Sequence, residues 1–263
     1  MVLDLFSKTY ESLVDKIIMN RGILMANWIT HLRIVDILFE KGINLDIKGF
    51  VIGNVAPDCN IENEDWTEFT PPREVTHWMD KKNNKLSADY KGFYKKYIEG
   101  RNFMSDEEIS FLLGYYTHLI TDVEFQKFVR DEKRVREIFY RIKKNNRLYE
   151  KVKGNPENFD TLKRVFGKQN IWSDIYVQES DYLEATPESK YNTVLKKVQG
   201  FPEYLDYFPE GAIIRKIKVM TKEDIIDEKR KEFIFFTQDE LNDFVERTSN
   251  HVYELINEKW SIK

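Results

Sequence analysis

The chain is poor in the residues that most often hold metals: 263 residues contain one cysteine, Cys59, and four histidines. A single cysteine forms no internal disulfide, which argues against the stapled architecture of small secreted domains. It also excludes zinc sites made of four cysteines, or of paired cysteines and histidines. Long apolar runs are missing as well. No window reaches the roughly 18 uninterrupted apolar residues of a membrane span, so no transmembrane helix is expected. Neither sign of charge dominates, with 41 basic against 45 acidic residues, so the footprint of a general nucleic-acid binder is absent. The N-terminal stretch lacks a basic start followed by an apolar core, which predicts no secretory signal. Together these absences predict a soluble, cytoplasmic protein.

What is present is core material in a helical pattern. Apolar residues make up 41% and aromatics 14%, enough for one large domain. Leu3, Phe6, Tyr10, Leu13, Val14, Ile17 and Ile18 fit one helix face, and from Asn27 the series Ile29, Leu32, Ile34, Val35, Leu38 and Phe39 fits another. An apolar stretch, Ile47–Val55, precedes Pro57. Residues 56–86, polar and acidic with Pro71 and Pro72, read as a long ordered loop. Ser105 with Glu108, and Thr237 with Glu240, are capping boxes that open two strong helices. Shorter helical patterns fall at 88–99, 132–150, 156–166, 174–183 and 190–198. The best strand signal is Lys231–Phe236, which a buried turn into the last helix explains equally well. The fold class expected is all-α: a multi-helical domain over 25–263, preceded by an extension over 1–24 that forms a docking helix unless translation starts at Met25.

The chemistry concentrates on the helix Ser110–Val129. It is apolar almost all round, the mark of a helix inside a domain. Yet His118 and Asp122 lie four residues apart on one of its faces. A buried carboxylate needs a partner or a metal. A core histidine bonded to an aspartate satisfies that requirement, and so does a metal centre. His31 (in THLRIVD), Asp58 (in GNVAPD) and His77 (in THW) add three further candidate ligands. With His118 and Asp122 they form a set from four segments that suits a divalent cation.

The order of these motifs, ending in LLGYYTHLITD, resembles the zinc-dependent phospholipase C family over residues 25–130, and most closely its short, leaderless bacterial members. The resemblance implies one or two Zn2+ ions, or another divalent metal. Asp58, His77, His118 and Asp122 would hold one ion, and His31 would serve a second or close the same cluster. It also implies hydrolysis of a phosphoester, small molecule or lipid headgroup, with metal-activated water attacking phosphorus and Asp58 as its catalytic base. Tyr115, Tyr116, Trp66 and Trp78 are candidates to line the pocket, although a core position suits each. The chain departs from the secreted enzymes in having no histidine over 119–250 for a further zinc, unless carboxylates such as Glu124 rebuild that site. Trp28 is internal and offers no free amine.

Two rival readings remain. One is a non-catalytic helical protein with a structural metal site or polar core and an interaction role. The other is an HD-type nucleotide phosphohydrolase, against which the chain has no adjacent His-Asp pair. The basic stretch 127–153, with 11 Lys and Arg against 4 Asp and Glu, reads as a solvated helix pair. The acidic run Asn60–Glu68 reads as a loop coat, and Cys59 as a small buried filler.

Overall fold

The computed structural model describes residues 26–64, 67–80, 85–222 and 232–259. The expected docking helix over 1–24 and the candidate Trp66 lie outside them. Among the described residues the chain is a bundle of α-helices with two small antiparallel β-pairs. Its buried apolar side chains form one cluster running from Ala26 to Ile256. No helix among the described residues is long and apolar enough to cross a membrane.

The first two helices are α1 (Trp28–Glu40) and α2 (Ile47–Val55), the latter capped by Asp46, whose carboxylate accepts from Gly49 N at 2.6 Å. Residues 56–86 are more regular than a loop. They hold a 3-10 turn, Ala56–Asp58, the pair β1 (Ile61–Glu62) with β2 (Phe69–Thr70), a one-turn α3 (Arg73–Thr76), and the pair β3 (Met79–Asp80) with β4 (Lys85–Ala88). Such short pairs carry no alternation long enough to read from sequence. Next come α4 (Tyr90–Tyr97) and the long α5 (Asp106–Arg130). Ser105 caps α5 as expected, accepting from Glu108 N at 3.1 Å. Helix α5 is buried almost all round and packs against α2, α4 and two later helices, α6 (Glu132–Lys143) and α11 (Gln238–Lys259).

Helices α2 and α5 approach each other closely. A Cβ on Gly53 would stand 1.9 Å from the Phe111 carbonyl oxygen, and one on Gly114 would stand 2.2 Å from that of Phe50. Only glycine lets the two backbones meet at this spacing.

The C-terminal half adds α7 (Asn146–Val152), α8 (Phe159–Ala185), α9 (Lys190–Thr193) and α10 (Ala212–Met220) before α11. The helical patterns at 156–166 and 174–183 are joined in α8, which changes direction at Gly167 with φ +75°. The Thr237–Glu240 capping box forms reciprocally, with bonds of 3.3 and 3.0 Å. The strand signal ending at Phe236 is not realised within its described part, 232–236. The backbone there bonds to side chains instead: Phe235 N and Phe236 N donate to Asp174, Gln178 donates to Phe236 O, and Arg141 donates to Ile234 O. In the basic stretch, Val135, Ile138, Phe139 and Ile142 pack inward as expected of a solvated helix pair.

Candidate metal centre

Four segments bring the candidate ligands together. His31 comes from the leading end of α1, and Asp58 from the 3-10 turn that Pro57 restrains just after α2. His77 ends α3, and His118 and Asp122 lie one turn apart on α5. All five are buried.

Their ligand atoms are closely spaced. His77 Nε2 is 3.3 Å from Asp58 Oδ1 and 3.8 Å from Asp122 Oδ2, and His118 Nε2 is 3.4 Å from Asp122 Oδ2. Two ligands at about 2.1 Å from a tetrahedral zinc stand roughly 3.4 Å apart, a spacing that the His77–Asp58 and His118–Asp122 pairs match. On the far side, His31 Nε2 is 3.4 Å from Asp122 Oδ1, and the His31 ring stacks on that of His118 with centroids 3.8 Å apart and planes 2° from parallel. Two triads able to hold a metal result, His31–His118–Asp122 and Asp58–His77–His118, sharing His118.

Orphaned atoms also mark the place. His118 Nε2, Asp122 Oδ2 and both ring nitrogens of His31 are buried without a hydrogen-bond partner. Buried polar groups are rarely left so, and four of them in one cluster suit a bound cation.

The surrounding groups set the rings for ligation. Asn54 is among the last residues of α2, where carbonyls have no intrahelical partner. Its carbonyl accepts from His118 Nδ1 at 2.7 Å, so the Nε2 lone pair faces the cluster. The approach of α2 to α5 at Gly53 and Gly114 makes this contact possible. His77 Nδ1 faces the Arg73 carbonyl at 3.2 Å and the Thr76 hydroxyl at 3.0 Å, which leaves its Nε2 as acceptor too. The Tyr115 hydroxyl donates to the Thr76 carbonyl and anchors α3. Trp28 Nε1 donates to Asp58 Oδ2 at 2.9 Å.

Electrostatics follow from burial and proximity. Burial and then the neighbouring His118 push the His31 pKa down. Burial and then the Arg73 guanidinium lower that of His77 to about 4. Burial disfavours the charged His118 ring, but the Asp122 carboxylate outweighs it and raises the pKa. For Asp122, burial is overcome by His118 and His31, which hold the carboxyl far below its usual range.

The other described side chains singled out in the sequence lie in the core or on the surface away from the cluster. Tyr115 stacks on Phe93 at 4.6 Å, Tyr116 packs on Tyr90 and Tyr94, and Trp78 packs on Phe93 and Tyr97, all as core aromatics. Glu124 turns away from the cluster to Lys127, with His251 3.7 Å off. Cys59 is a buried filler, its thiol near the Val55 carbonyl and its pKa raised by burial. Within the acidic run, Glu62 is no coat: its side chain is enclosed with Lys216 at 2.5 Å and Arg215 at 2.8 Å.

Sequence reasoning also missed three supporting residues: Arg73, Asn54 and Glu179. Arg73 sits four residues before His77, a helical spacing that could have drawn attention to it. The other two have no local signal. Glu179 of α8 accepts from Thr30 N at 2.8 Å, Thr30 Oγ1 at 2.6 Å and Asn27 Nδ2 at 3.1 Å, and so caps the helix that carries His31.

Fold and site together define a helical protein with a buried histidine–carboxylate centre suited to a divalent cation. The sequence model of the zinc-dependent phospholipase C family matches residues 28–124, the stretch that carries all five candidate ligands. No curated protein and no solved structure matches the chain. The family matched is zinc-dependent, and the donor set found here suits zinc.

Proposed function

We propose that this protein is a zinc-dependent phosphoester hydrolase of the phospholipase C type, with Asp58, His77, His118 and Asp122 holding one ion and His31 serving a second beside Asp122. The observation that carries the reading is the convergence of these buried donors into two triads, Asp58–His77–His118 and His31–His118–Asp122, each with its ligand atoms within 4.8 Å of one another. When bound, zinc supplies Lewis acidity, polarising a phosphoryl oxygen and lowering the pKa of water.

The chain's own residues do the rest. Asn54 and Arg73 fix the ring tautomers of His118 and His77 through their carbonyls. Trp28 holds Asp58 by Oδ2, which keeps Oδ1 turned toward His77, where it can accept a proton from the attacking water. The buried side chains around the cluster exclude bulk water and strengthen each of these contacts.

A second reading has an observation of its own: ligands this deeply buried also suit a purely structural metal. Metal analysis combined with turnover of a phosphodiester and a phosphomonoester tests both. The hydrolase reading expects at least one equivalent of zinc in the purified protein, and turnover that disappears in His118→Ala. Zinc-loaded protein that turns over neither substrate class, yet unfolds on chelation, would favour the structural reading. Protein free of metal before any chelator would sink both.

A further inference from the structure

We propose that Arg73 is the arm that receives the phosphate group of the substrate. The proposal rests on the zinc-centre reading above and adds the residue that recognises the anion. One terminal nitrogen of its guanidinium lies 3.1 Å from Asp58 Oδ1 and 3.3 Å from His77 Nε2. These are two of the atoms that a cation would take. Guanidinium and cation therefore compete for the same lone pairs, and a seated cation displaces the arginine head.

Its partial exposure points the head outward. The Arg73 side chain is 18% exposed, whereas those of Asp58 and His77 are 3% and 0% exposed. Arg73 is thus the most solvent-accessible of the three side chains in this contact. Its root stays fixed when the head moves. Its carbonyl is bound by the His77 ring and the Thr76 hydroxyl, and Tyr115 anchors the next turn.

Charge then selects the ligand. In the absence of a cation, Arg73 offsets the buried Asp58 carboxylate. A divalent cation neutralises Asp58 and Asp122 together, and the arginine tips the sum of these groups to positive. A planar guanidinium offers paired N–H donors that match two oxygens of a phosphate. A phosphate group entering from the exposed side would meet Arg73 before it met the centre.

The test uses the full chain loaded with zinc, as wild type, Arg73→Ala and Arg73→Gln, with inorganic phosphate as the probe. Calorimetry reads phosphate affinity, and chelator competition reads zinc affinity. Both variants are expected to bind phosphate about tenfold or more weakly, while holding zinc as tightly as wild type or more so. Arg73→Gln is shorter and uncharged but keeps a methylene stem and an N–H donor, so a folding defect in Arg73→Ala leaves the question answerable. Unchanged phosphate affinity in a zinc-loaded variant overturns the role of Arg73 and leaves the metal centre standing. Wild-type protein that takes up no zinc overturns the centre, and the arm with it.

Discussion

The indole N–H of Trp28 and Oδ2 of Asp58 are joined by a 2.9 Å hydrogen bond between buried side chains, linking α1 to the turn after α2. The bond orients a candidate ligand without touching the metal position. Outer contacts of this kind are typically worth ten- to a hundredfold in metal affinity. Trp28→Phe is therefore expected to keep the helical fold and weaken zinc binding by about ten- to a hundredfold, read by chelator competition. Zinc affinity equal to that of wild type would remove Trp28 from the centre.

Gly53 makes its prediction through sterics. A methyl group there would collide with the Phe111 carbonyl at 1.9 Å, and that carbonyl belongs to a buried helix with no room to yield. Gly53→Ala is expected to lower stability by on the order of 3 kcal/mol, read as a shift in the urea midpoint. Zinc affinity should fall with it, because α2 carries the Asn54 carbonyl that holds His118. A variant as stable as wild type would contradict the close approach of α2 to α5.

Glu62 predicts a dependence on pH. Burial works against its charge, but the bonds from Arg215 and Lys216 bring its pKa below the ordinary value of 4.5. A carboxyl with a lower pKa when folded adds stability that is complete above the unfolded value, then lost as pH falls through the folded one. Glu62→Gln should lose roughly 3 kcal/mol at neutral pH, because the buried Lys216 loses a charged partner at 2.5 Å. It should also show a shallower decline below pH 4.5. Urea denaturation of zinc-free wild type and variant between pH 7 and pH 3 provides the comparison. Parallel curves would rule out this role.

The cluster of candidate ligands was legible because its elements obey local rules. His118 and Asp122 share a face through helical spacing, Pro57 marks the turn that presents Asp58, and with so few histidines each one stands out. The capping boxes at Ser105 and Thr237 were legible for the same reason. What escaped was set by contacts distant in sequence. A backbone carbonyl such as that of Asn54 leaves no mark in the residue string, and Arg73 is defined by Asp58, 15 positions away. The segment before α11 looked like a strand because its apolar residues are buried, yet Asp174, Gln178 and Arg141 take its backbone bonds.

The bond from Thr30 to Glu179 spans 149 residues, and that span has a meaning in time. At about 5–20 residues per second, a ribosome needs roughly 7–30 s to travel from one partner to the other. All five candidate ligands have been synthesised well before then. During that interval the leading end of α1 lacks its carboxylate cap, and His31, one position beyond Thr30, sits on an unanchored turn. The candidate centre is thus finished by a helix outside the stretch that supplies its five side chains, and a nascent chain halted after α5 would hold all five while His31 was still unsecured.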